Sequence, residues 1–171
     1  VTLGNGAVYT GATITPGTEM LPLVDAANHG NELCNPATPF TGDVAGKIVL
    51  CLRGAVGRAA KSYAVFAAGG AGMILYNAND VDNLFTDNHM VPSVHIDYTP
   101  GLAIKGYIAT DPNPTAQLSA GVASTWPYAP SMTIFSSRGP NAFASDIIKP
   151  DVTAPGLQIL AGNSPLPADP S

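Results

Sequence analysis

Gly46-Lys47-Ile48-Val49-Leu50-Cys51-Leu52-Arg53-Gly54 and Gly69-Gly70-Ala71-Gly72-Met73-Ile74-Leu75-Tyr76-Asn77 decide the fold. Each holds a short, uninterrupted apolar run, which is the pattern of a strand covered on both faces. The stretch between them, residues 57–69, reads as a helix. Ala60, Tyr63, Ala64 and Ala67 share one face at helical spacing, and Arg58, Lys61 and Ser62 face elsewhere. Gly69-Gly70 supplies the C-terminal stop. Strand, helix and strand in this order predict a parallel crossover unit.

Outward from this unit, residues 1–15 read as a hairpin with a Gly4-Asn5-Gly6 turn. Leu23-Val24-Asp25 is strand-like, and Asn35-Pro36-Ala37-Thr38-Pro39 is loop. After an acidic loop at 79–88, Val91-Pro92-Ser93-Val94-His95-Ile96 reads as a strand with Pro92 near its start. Residues 99–109 form a second helix with Pro100 in its first turn and Leu102, Ile104 and Ile108 as apolar positions. Ala116-Gln117-Leu118 closes the sheet, and 124–130, with Pro127 and Pro130 around Tyr128, is a linker.

Hydrophobic residues make up 46% of the 171 residues and charged ones 11%, so the chain is globular, and part of its surface is expected to be covered by other protein. A net charge of −5 with scattered Lys and Arg argues against nucleic acid. No apolar stretch is long enough to cross a membrane. With no initiator Met, the chain is expected to be a piece of something longer. Cys34 and Cys51 could pair, closing a modest loop worth about 3 kcal/mol in the chain-entropy model. The alternative is two free buried thiols. Few lysines and an even cysteine count favour secretion.

The order of features from Gly46 to Asn77 (strand, Arg-Gly turn, helix with a Lys, small-residue stop, apolar strand ending in Asn) resembles the protease-associated domain. Val91-Pro92-Ser93-Val94 fits that family's next strand. A second resemblance lies downstream. Thr133-Ile134-Phe135-Ser136-Ser137-Arg138-Gly139-Pro140-Asn141 and Ile148-Lys149-Pro150-Asp151-Val152-Thr153-Ala154-Pro155-Gly156 are similar to the segment that precedes the nucleophile in subtilisin-like serine proteases. Larger secreted members of that family carry a protease-associated domain inserted in the catalytic domain. The resemblance implies an α+β fold: a mixed sheet closed into a barrel-like sandwich, two short flanking helices, and flanking strand segments. It also implies a division into catalytic-domain strands at 1–21, the inserted domain at 22–123, the linker at 124–130 and a partial catalytic segment at 131–171.

The family places its catalytic His in a His-Gly-Thr context and its Ser in Gly-Thr-Ser-Met. Neither occurs here, so the chain by itself is expected not to hydrolyse peptides. His29, His89 and His95 are read as structural or exposed. Ser136 and Ser137 lack a base in reach and read as turn hydroxyls. In a parent protease Phe135, Ser136, Ser137, Gly139, Pro155 and Gly156 would support the active site. Arg53 either bonds loop carbonyls or meets a peptide or partner carboxylate. Trp126 and Tyr128 either pack a hinge or form a substrate-facing ledge. Asp80, Asp82 and Asp87 sit in a loop without the spacing of a twelve-residue calcium motif, and read as solvated, with a calcium site as the alternative. The glycines at 69–72 follow a helix instead of opening one, which disfavours phosphate binding. No cofactor and no metal is expected.

The implied function is a non-catalytic insert that binds substrate or a partner and controls access to a subtilisin-like active site. Its partners would be the remainder of the parent protease and a peptide or protein substrate, with homodimer contact as a further one. The alternatives are a fragment active only with its missing catalytic half, and a structural or dimerising spacer.

Overall fold

The computed structural model describes residues 1–80, 83–123, 132–133, 136, 140, 143–144, 146–147 and 151–156. The chain forms two compact units, Val1–Pro127 and Tyr128–Ser171. In the second, the Ser136 N–H donates to the Thr133 carbonyl at 3.0 Å, a local turn, and residues 151–156 are exposed.

The first unit contains β1 (Thr2–Leu3), β2 (Leu21–Asp25), a short 3-10 turn (Ala26–His29), β3 (Ile48–Leu52), α1 (Arg58–Ala67), β4 (Gly72–Tyr76), β5 (Ser93–Ile96), α2 (Tyr98–Thr110) and β6 (Thr115–Gln117). The strands form one mixed six-stranded sheet in the order β1-β6-β2-β3-β4-β5. β2, β3, β4 and β5 run parallel, and β6 is antiparallel to both β1 and β2. The expected α+β architecture and the parallel β3-α1-β4 crossover are both present.

The apolar runs are continuous because each face of the sheet is covered. Ile48, Leu50, Ile74, Tyr76, Val94 and Ile96 point to one side, where they pack on Ile104 and Tyr107 of α2 and on Leu3, Leu23, Ala116 and Leu118. Val49, Cys51, Met73 and Leu75 point to the other, against Val65 of α1 and Ala26, Val44 and Val91. Successive strand side chains alternate faces, so a run that is apolar at every position needs a layer on both sides.

The two helices are bounded by local chemistry. The Asp97 carboxylate accepts from the Tyr98 N–H at 2.9 Å, and Asp80 accepts from the Thr99 N–H at 2.9 Å. Both place negative charge at the positive end of α2. α1 stops at Gly69, whose φ of +78° is the left-handed conformation that glycine adopts without a Cβ penalty. Cys34 and Cys51 are joined in a disulfide, with both residues fully buried and their Cα atoms 5.7 Å apart.

Residues 7–18 cover the sheet's far edge. The Ala12 N–H donates to the His95 carbonyl at 2.8 Å, and the His95 N–H returns a bond to Ala12 at 2.9 Å. Farther along, the Thr15 hydroxyl takes the place of a backbone partner. It accepts from the Ser93 N–H at 2.8 Å and donates to the Ser93 carbonyl at 3.1 Å. The segment then meets the end of β6, where the Thr18 N–H donates to Leu118 at 2.8 Å. β5 would otherwise be an open edge inviting strand addition.

Two details of the helices differ from the sequence reading. On α1, Lys61 and Ser62 are fully buried while Tyr63 and Phe66 are exposed. Lys61 Nζ donates to the Leu33 carbonyl, and Ser62 Oγ donates to Ala59 while accepting from the Met90 N–H at 3.1 Å. Partners 28 residues away in sequence therefore turn the polar stripe inward. On α2, Leu102 is exposed, and Gly101 takes the inward position against Tyr76.

Candidate functional site

The parallel register sets three polar side chains side by side. Leu52 pairs with Tyr76, and Tyr76 with Ile96, so the next residues, Arg53, Asn77 and Asp97, leave the sheet together at its carboxyl edge. The Arg53 N–H still donates to the Tyr76 carbonyl at 2.8 Å, which holds this row in place. In parallel sheets this edge is where ligands collect, because the strand ends and their loops converge there.

Asn77, buried, is the hub of the row. Its Nδ2 donates to Asp97 Oδ1 at 2.9 Å, and its Oδ1 accepts from Arg53 Nη1 at 3.0 Å. The same oxygen lies 2.8 Å from His95 Nε2. The other imidazole nitrogen, Nδ1, accepts from the Phe85 N–H at 3.0 Å. Together these bonds define a neutral ring with its proton on Nε2, facing Asn77. Burial, with the charges of Arg53 and Arg58, pushes His95 down to about 4. The Phe85 carbonyl, 3.2 Å from Nδ1, pulls in the opposite direction.

Residues 83–90 lie over the row and are tied down by side chains. Asn83 Oδ1 accepts from Arg53 Nη1 at 2.7 Å. Arg58 grips Asp87 with two bonds, Nε to Oδ2 at 2.5 Å and Nη2 to Oδ1 at 3.0 Å, a bidentate pair that holds the Asp87 carboxyl below the usual range. The Phe85 ring sits under both guanidinium groups, 5.5 Å from Arg53 and 4.7 Å from Arg58. Among the described residues, His89 Nδ1 is buried without a hydrogen-bond partner, and burial lowers that group's pKa.

Of the residues singled out in the sequence, Arg53 is in this site, and its guanidinium is occupied by the amide oxygens of Asn77 and Asn83. Asp80 and Asp87 are engaged by Thr99 and Arg58, so the acidic loop is more than a solvated turn. Pro155 and Gly156 are exposed, and Ser136 is in the turn described above. Trp126, Tyr128, Phe135, Ser137 and Gly139 lie outside the described residues. The sequence reading missed Asn77, His95 and Asp97 as site residues. The available signal was positional, since Asn77 and Asp97 each directly follow a strand-like run.

The chain has relatives among known proteins. The PA domain family matches residues 19–104. The subtilisin-like protease SBT1.4 of Arabidopsis thaliana is 43% identical over 166 residues, covering 93% of this chain and 21% of the protease. SBT1.7 of the same plant is 41% identical over 169 residues, covering 93% of this chain and 22% of the protease. The chain thus spans about a fifth of the length of the curated relatives it matches. Among solved structures, an aminopeptidase from Aneurinibacillus sp. strain AM-1 aligns with a TM-score of 0.51 and 25% identity, covering 63% of this chain and 26% of that one.

Proposed function

Since this chain belongs to the PA domain family, we propose that it serves a subtilisin-like serine protease as a non-catalytic insert, binding substrate or a partner protein beside the active site. The observation that carries this reading is the extent of the similarity. The PA match ends at residue 104, whereas the match to the plant proteases covers 93% of the chain. The similarity therefore continues beyond the inserted domain into its flanks. The Aneurinibacillus aminopeptidase supports the reading too, since the same fold accompanies a second kind of peptidase there. The surface we assign to substrate or partner is the carboxyl edge of the sheet, with Arg53 and Arg58 around Phe85. An extracellular setting fits the buried Cys34–Cys51 bridge, because disulfides persist in oxidising compartments.

The test is cleavage by the full-length protease carrying Arg53→Ala and Arg58→Ala, compared with the unaltered enzyme. Short chromogenic peptides should be cut equally, and kcat/KM for folded or long substrates should change by about tenfold for some and little for others, the equivalent of about 1.4 kcal/mol of selective binding. Identical profiles across the whole panel would leave this edge no role in substrate choice.

A further inference from the structure

The covering segment is fastened to the sheet by groups whose charge changes with acidity. Residues 83–90 have no helix or strand of their own. They are held by Asn83 on Arg53, the Phe85 N–H on His95, Asp87 on Arg58 and the Met90 N–H on Ser62. The Phe85 N–H bond needs the lone pair of His95 Nδ1, so a proton on that nitrogen removes the acceptor. It also puts a cation in a site that already contains two.

We propose that residues 83–90 form an acid-released flap: protonation of His95, assisted by His89, unfastens the segment from the sheet edge and uncovers Arg53, Asn77 and Asp97. This is a property of the chain itself and holds whether or not the chain serves a protease.

The described titratable groups around His95 are Arg53 from the end of β3, Arg58 from α1, Asp97 from the end of β5, and Asp87 and His89 from the segment itself. Residues 7–18 contribute the Ala12 backbone on the other side. Of the two carboxylates, Asp87 is committed to Arg58, and Asp97 accepts from Asn77 and from the Tyr98 N–H. With the flap shut, a charged His95 can donate to the Phe85 carbonyl, 3.2 Å from Nδ1, but burial and the charges of Arg53 and Arg58 outweigh that bond. His89, beside Arg58 and Asp87, has its Nδ1 buried without a partner, and opening would hydrate it.

The sign follows from linkage. His95 titrates at about 4 with the flap closed, against 6.5 for a free imidazole. The open state therefore binds more protons between those values. It gains on the closed state by up to about tenfold per pH unit as pH falls through this window. Above 6.5 both states hold a neutral ring, and acidity has no leverage.

The experiment is residue-resolved amide exchange by NMR on residues 1–171 from pH 7 to pH 4.5, read as protection factors, which remove the intrinsic pH dependence of exchange. The Phe85 and Met90 amides should lose about tenfold in protection between pH 6.5 and pH 5, while Leu50 and Ile74 in the central strands keep theirs. His95→Gln, which keeps an amide donor and acceptor but does not titrate, should flatten the response. Constant Phe85 protection in the unaltered chain overturns the proposal, and so does the same loss in His95→Gln. If that variant fails to fold, the His95 ring is titrated directly in the unaltered chain. A ring midpoint that tracks the loss of Phe85 protection supports the flap. A ring that titrates near 6.5 while Phe85 stays protected overturns it.

Discussion

Lys61 is an unusual tenant of a small apolar core: fully buried, with its ammonium on the Leu33 carbonyl. Burial lowers its pKa to about 8. In the unfolded chain it titrates near the ordinary 10.5, so between those values the unfolded state binds more protons. Folding stability should consequently rise with pH from about 8 to about 10.5, and below 8 the cost of burying the charge is fully present. Urea unfolding at pH 7, 8, 9 and 10 checks this. The stability difference between the unaltered chain and Lys61→Met should shift in favour of lysine as pH rises, and a pH-independent difference would refute it. Residues like this one mark the limit of reading the sequence. Arg53 stood out because an Arg-Gly turn after a strand is a local pattern. His95 looked like one more strand residue, since its partners Phe85 and Asn77 are 10 and 18 positions away. Nothing in a local window places an asparagine at the centre of Arg53, Asn83, His95 and Asp97.

The strands were readable because burial on both faces leaves no polar position to confuse the period, as Ile48–Leu52 and Gly72–Tyr76 show. The helix boundaries also came close, with expected spans of 57–69 and 99–109 against Arg58–Ala67 and Tyr98–Thr110. Orientation was harder. α1 presents Lys61 and Ser62 inward because the loops at 31–35 and 88–91 offer hydrogen bonds there, and its aromatic residues are left outside. α2 illustrates how contact overrides propensity. A Cβ on Gly101 would meet the Cβ, Cγ and Cδ2 atoms of Tyr76, whereas one on Gly106 would meet nothing within 4 Å. Helix propensity alone favours alanine over glycine by about 1 kcal/mol at both sites. At Gly101 overpacking against a buried ring, costing about 1–3 kcal/mol, should win. Gly101→Ala should therefore lower the urea midpoint and Gly106→Ala should raise it. A gain from both would show that α2 is not seated on Tyr76 as described.

The first unit is held by two apolar layers and one covalent bridge. Cys34 and Cys51 are separated by 17 positions, so their bond restrains the unfolded chain by about 3 kcal/mol in the loop-entropy model. Replacing both with serine should cost at least that much, because two hydroxyls would also be buried in an apolar layer. Thermal unfolding of the double variant, set against the reduced unaltered chain, measures the two contributions separately. Equal stability with and without the bridge would contradict the loop argument. The pairing of Thr2 with Gln117 has a further consequence. Cα atoms of neighbouring strands lie only about 5 Å apart. The first and last strands of the sheet therefore lie side by side at Thr2 and Gln117, like a loop of thread drawn through a single eyelet. A body with that geometry can be spliced into a surface turn of a larger protein without prising the turn apart, and can be gained or lost in evolution while the host keeps its shape.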